Sequence, residues 1–262
     1  MPIQYARRLA GRSRSPDADR HLGCLLACVA GVTNAVGFGL AGHYTSHMTG
    51  MVSTLGERAL ADDPWLAIAA ASAIAAFVAG AACCTLMVHH ARRRRLHAQF
   101  AWPLLLEATL ILTAGAIASS DGALAGLQAW RTICLLTFAM GLQNALITKI
   151  SRGEIRTTHV TGIVTDLGIE WGRGIARRLG FRVGTGGTGR ARLLVALLAM
   201  FTLGCIGGTF AVAHVGRLAL IPAALAIGIV ALVPAWDDWG RRDGTRLDPE
   251  GEATASKSPR SP

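Results

Sequence analysis

Six apolar blocks, each about twenty residues long, limit what this chain can fold into more than any other feature. A helix rising 1.5 Å per residue needs about twenty residues to cross about 30 Å of hydrocarbon. The blocks run from Leu22 to Ala41, Pro64 to Val88, Trp102 to Ser119, Ala129 to Thr148, Leu193 to His214 and Leu218 to Trp236. A membrane β-barrel would need strands of about ten residues alternating in and out, and these blocks are too long and too uniformly apolar for that. The fold class they predict is all-α: a polytopic membrane protein with six transmembrane helices. Composition agrees, with 52% apolar residues, 16% charged residues and a mean hydropathy of +0.41.

A net charge of +10 could serve nucleic acid or a membrane surface, and the placement of the cations decides between them. The N-terminal tail, the second connection (Arg92 to Arg95), the fourth connection (Lys149 to Arg192) and the C-terminal tail hold 23 of the 26 basic residues. Only Arg58, Arg131 and Arg217 fall on the other three connections or their helix ends. That alternation is the positive-inside pattern for six spans with both termini cytoplasmic. It makes the lipid bilayer the partner and excludes nucleic acid. Arg92 to Arg95 can additionally meet anionic headgroups. The first block follows a long tail and contains material repeated later, so it reads as a retained span and not as a cleaved signal. Residues 1–20 and 237–262, polar and charged, are predicted to be disordered tails. Cys24, Cys28, Cys83, Cys84, Cys134 and Cys205 all lie inside predicted spans, as packing thiols and not as a disulfide framework.

The chain repeats itself. Gly31, Asn34 and Ala35 match Gly141, Asn144 and Ala145 at a constant offset of 110. After a two-residue insertion, Thr45-Ser46-His47-Met48-Thr49-Gly50-Met51-Val52 aligns with Thr157-Thr158-His159-Val160-Thr161-Gly162-Ile163-Val164, and Phe77, Gly80 and Thr85 then align with Phe201, Gly204 and Thr209. Two units follow, residues 21–120 and 121–236, each with three spans. Because three is odd, the second unit must enter from the opposite face, which gives two inverted three-helix repeats, an architecture common among secondary transporters.

The repeated Thr-(Ser/Thr)-His-x-Thr-Gly segment carries whatever chemistry the sequence offers. Met48, Met51, Val52 and Leu55 are spaced as one face of a short helix, and Val160, Ile163, Val164 and Leu167 repeat the spacing. The other face holds His47, Gly50 and Thr54 in one copy and His159, Gly162 and Asp166 in the other. Asp63-Pro64 supplies a cap and a first-turn proline to restart the next helix. Asn34, Gln143 and Asn144 lie deep in their spans, where an amide needs a partner, either across the pseudo-twofold axis or in a polar cavity. Glu107 is the acid within a span; it can serve as a proton or ion site or reach the interface near Arg92 to Arg95. The small residues Ala76, Gly80 and Cys84, and Gly204 and Gly208, mark tightly crossing helices.

These readings predict a small-molecule or ion permease with a polar cavity between its halves. Its substrate site would comprise Asn34, Thr45, His47, Thr49, Gln143, Asn144, Thr157, His159, Thr161 and Asp166, with Glu107 and Asp166 as ion or proton sites. The alternative is a membrane sensor or scaffold that transports nothing. No nucleophile, catalytic dyad or nucleotide loop points to an enzyme, and no cofactor is called for. His43 and His47 lack a third metal ligand in sequence. Six spans would also suit a homodimer of twelve.

The segments Ala30 to Phe38 and Thr45 to Gly50, with Met140 to Ala145 and Thr157 to Gly162, resemble those of the YoaK-type bacterial membrane proteins. The resemblance covers residues 20 to 236 and implies a multi-pass location in the bacterial inner membrane. It brings no assigned activity, transport being only a suggestion for that family. Met51 and Asn34 depart from the family pattern, which has asparagine and frequently an acid at those places.

Overall fold

The computed structural model describes residues 15–60, 64–94, 96, 98–118, 125–182 and 188–244. Among them the chain forms eight α-helices: α1 Pro16–Ala41, α2 Met48–Ala59, α3 Pro64–Arg93, α4 Ala101–Ile117, α5 Ala125–Ile150, α6 Val160–Arg178, α7 Thr188–Val215 and α8 Leu220–Gly244. A 3-10 turn, Gly216–Ala219, joins the last two. No strand occurs among the described residues.

Helix α1 starts earlier than its apolar block. Ser15 caps it, its hydroxyl accepting the Ala18 amide at 3.2 Å, and Pro16 follows with Asp17 and Asp19 in the first turn. These residues satisfy free amides and suit the positive end of the helix, so residues 16–20 are helical and not part of a disordered tail. The helix stops at Gly42, whose left-handed φ of 72° lets its amide reach the Phe38 carbonyl at 2.8 Å. Helix α8 likewise runs on to Gly244, past the predicted start of the C-terminal tail. The remainder of both tails and the cap expected at Asp63 lie outside the described residues.

Four glycines set the packing. A Cβ on Gly31 would lie 2.1 Å from the Phe201 carbonyl oxygen, and one on Gly204 would lie 2.1 Å from that of Cys28. The same arrangement recurs between α3 and α5: a Cβ on Gly80 would meet the Phe138 oxygen at 2.0 Å, and one on Gly141 the Phe77 oxygen at 2.1 Å. Backbones this close admit no side chain. The sequence offsets map Gly31 onto Gly141 and Gly80 onto Gly204, so one crossing is the counterpart of the other. Helix α1 therefore packs on α7 and α3 on α5, each half lending its second long helix to the other, while α4 packs on α8. The core between them holds Leu22, Leu26, Leu104, Ile111, Leu136 and Leu142, all fully buried.

The outer surface is apolar: Ile68, Leu86, Ile206, Phe210, Leu225 and Ile229 are each more than half exposed. Four helical segments are long and apolar enough to cross a membrane, namely Pro16–Ala41, Pro64–Arg93, Gly126–Ile150 and the 48-residue stretch Gly189–Trp236. Ala101–Ile117 is a shorter apolar helix. Long apolar helices with a greasy exterior are the mark of a multi-pass membrane protein.

Candidate functional site

The two motif segments lie at opposite ends of the α1–α5 pair. At one end, the His43 ring meets Trp130 near the start of α5, with centroids 5.8 Å apart. At the other, the Ile155 side chain beyond α5 covers Gly23 near the start of α1. Each segment connects a long helix to a short one, and each is tied back to the helix that precedes it.

In the first half Asn34 does the tying. Its Oδ1 accepts the amides of Thr45 at 3.0 Å and Ser46 at 3.3 Å, and the Ser46 hydroxyl at 3.3 Å. In the second half the work is divided. Asn144 Oδ1 accepts the Thr158 hydroxyl at 2.9 Å while its Nδ2 donates to the Met140 carbonyl. Gln143 Oε1 accepts the Thr157 hydroxyl at 3.2 Å. The expected bond between Asn34 and Asn144 across the pseudo-twofold axis is thus replaced by local bonds to the following turn, because the turn brings donors closer than the partner helix does. Ser46 and Thr158 were not among the predicted site residues, although their shared hydroxyl in the repeat was a signal.

These ties predict unequal costs. Asn34→Ala is expected to destabilise the fold by about 1–3 kcal/mol, since it strands the buried Thr45 amide. Asn144→Ala, which releases a side-chain hydroxyl able to turn elsewhere, should cost about 0.5–1.5 kcal/mol. Thermal denaturation in detergent reads the difference, and equal losses would contradict it.

Glu107 is fully buried, and its Oε1 accepts the Gln143 Nε2 at 2.8 Å. It therefore does not reach the interface near Arg92 to Arg95; Arg92 instead donates to Gln99 Oε1 at 3.2 Å. The side chains of Glu107, Gln143 and Thr157 form one hydrogen-bonded chain, all three completely buried. Glu107 Oε2 has no hydrogen-bond partner. Among the described residues the first half has no such chain. Thr33 stands where the repeat places Gln143, its buried hydroxyl unpartnered, and α8 holds no acid before Asp237.

The histidines are different. His47 and His159 precede α2 and α6 and are exposed, as are Thr49 and Thr161. Each imidazole lies across the glycine three residues on: a Cβ on Gly50 would meet His47 Cδ2 at 2.0 Å, and one on Gly162 would meet His159 Nδ1 at 2.3 Å. The pairing of His with Gly in the motif is thus steric. Beside His159 opens a groove of about 650 Å³ that also takes in Thr161, Asp166, Arg156 and Arg190. Asp166 is bound there by Arg190, whose guanidinium donates to Oδ2 at 2.8 Å.

The ten residues predicted to line one cavity therefore separate. Asn34, Thr45, Gln143, Asn144 and Thr157 hold buried or half-buried turns, whereas His47, Thr49, His159, Thr161 and Asp166 face outward at the two ends. Arg152, with φ of 53°, and Arg156 line the second end and were not predicted; the two-residue insertion ahead of the second motif was the available hint. Among the described residues no group of three potential ligands could hold a metal.

Comparison with known proteins adds a family. The model described as "Protein of unknown function (DUF1275)" matches residues 22–233. No curated protein and no solved structure matches the chain.

Proposed function

Since the chain belongs to the DUF1275 family, whose description assigns no activity, we propose from its own geometry that it is a six-span permease for a small molecule or an ion. The observation that carries this reading is the buried chain Glu107–Gln143–Thr157, which ends at the motif turn beside the groove. A carboxyl group in a helix interior costs insertion energy, and such groups are kept where ions or protons move.

The six-span count and the inverted halves belong to the same proposal. A single span of 48 residues would be about 72 Å long, far more than hydrocarbon requires. Gly216, with φ of 56°, and the 3-10 turn divide that stretch into two. The 17 residues of α4 give about 25 Å, near the hydrocarbon thickness. Arg20, Gln99 and Arg152, from the N-terminal region and the second and fourth connections, line one groove. This common end would be cytoplasmic by the positive-inside rule, in the inner membrane of a bacterium, with both termini there. In this reading the protein is not an enzyme; His159, Thr161 and Asp166 meet solute from the cytoplasm, and His47 and Thr49 meet it from outside.

The test has two parts. Single cysteines at Thr49 and Thr161 in intact cells should react with impermeant reagents from opposite compartments; labelling from one side overturns the inverted topology. Proteoliposomes should show saturable uptake that falls at least about tenfold in His47→Ala or His159→Ala, an interaction of about 1.4 kcal/mol. A non-transporting sensor or scaffold has its own support, because Asn34, Thr45, Gln143 and Thr157 largely satisfy one another. Absence of flux across a broad panel of ions and metabolites would favour it.

A further inference from the structure

The two short motif helices are unequal. Helix α2 has 12 residues and α6 has 19. Aligned at the motif, Ala59 at the end of α2 falls opposite Trp171, so the segment from Trp171 through the turn after α6, residues 171–182, continues past the end of the first-half helix. We propose that this segment is an interfacial helix that binds the anionic headgroup layer of the bilayer in which the bundle sits.

Only Ile163 of α6 is buried. Val164, Trp171 and Ile175 follow one another at helical spacing along one side of α6, with Leu179 continuing the line. They are 52%, 76%, 47% and 68% exposed, and Phe181 beyond them is 64% exposed. Arg173 and Arg177 emerge from the opposite side, a rotation of about 180–220° from Val164 at 100° per residue. Arg178 and Arg182 flank the strip. Between Leu167 and Arg182 the chain carries four arginines against one acid, Glu170, which binds Arg173 at 2.6 Å.

Nineteen residues would nearly span a membrane, but three arginines within it exclude that for α6, which is not among the apolar spanning segments. An apolar strip that includes a tryptophan, with long cations on its flank and on the opposite face, fits the boundary between acyl chains and phosphates, where indole rings settle and arginine stems lie along apolar surface. A second copy of the chain is a poorer occupant, because its own arginines would face these. Asp166 holds α6 to Arg190 at the base of α7, so the helix is fixed to the bundle at its start and free to lie flat toward its end. The inference does not depend on transport.

The experiment uses the full-length protein in phosphatidylcholine vesicles doped with lipids brominated near the top of the acyl chain, and reads the wild-type minus Trp171→Phe fluorescence. The Trp171 signal should be quenched, and half-quenching should require about fivefold less brominated phosphatidylglycerol than brominated phosphatidylcholine, the preference worth one arginine at an anionic surface. Replacing Arg173, Arg177, Arg178 and Arg182 together by glutamine should remove the preference while leaving the quenching. A Trp171 signal untouched by either lipid would show that protein covers the strip, and equal quenching by both lipids would show no headgroup selection. Either result overturns the proposal on the wild-type protein alone.

Discussion

Alanine at Gly31, Gly80, Gly141 or Gly204 is expected to lower the melting temperature of the detergent-solubilised protein by about 5–10 °C, the fall that about 2–3 kcal/mol of overpacking produces in a chain of this size. In each case the new methyl would stand 2.0–2.1 Å from a carbonyl oxygen of the facing helix. The obstacle is backbone, which cannot swing aside as a side chain can, so the two helices must part along the crossing and lose van der Waals contact on both sides. Gly31 and Gly204 share one crossing and Gly80 and Gly141 the other, so a second alanine in an already opened pair should cost less than the first. Gly56→Ala and Gly207→Ala, which meet nothing within 4 Å, should leave the transition unchanged or raise it slightly. If all six variants melted alike, the crossings would not be what holds the halves together.

The second large effect concerns Glu107. Removing its side chain in Glu107→Ala opens a cavity and leaves the buried Gln143 amide without an acceptor, so a loss of about 2–4 kcal/mol is expected. Glu107→Gln keeps an oxygen for that amide and nearly the same volume, and should melt within a few degrees of wild type. The two variants separate packing from chemistry. If the carboxyl group carries an ion or proton, the glutamine variant folds and loses flux; if it is a structural acceptor, the glutamine variant folds and transports as before. A glutamine variant as unstable as alanine would refute the assignment of Gln143 as the donor.

Much of this was legible along the chain. The repeat placed Gly31 on Gly141 and Gly80 on Gly204, and the small residues at helical spacing marked α3 and α7 as close-packing helices before any contact was known. The motif helices also emerged from their spacing, with Met51 and Ile163 as their buried anchors. What escaped was partnership. Asn34 and Gln143 occupy adjacent positions of the repeat, yet one holds the first-half turn that follows its own helix and the other joins the second-half turn to an acid on α4. No periodicity reports which of several nearby donors an amide will find, because that depends on turn geometry and on the helix lying alongside. Helix ends were misread for a simpler reason: α1 takes its start from the Ser15 cap and Pro16, whereas apolarity begins only at Leu22.

By itself the sequence determined the all-helical membrane character, since unbroken apolar runs can satisfy their backbone groups in lipid only as helices. It also determined the duplication and the sites of close helix approach, which depend on residue size and spacing alone. Only the tertiary structure decided that each half gives its second long helix to the other, that Glu107 is sealed against Gln143 and not extended toward the arginines, and that the histidines face outward while Thr45 and Thr157 two residues before them are buried. Those outcomes are set by where distant segments meet in space, and a pattern read along one chain carries no information about distance across it.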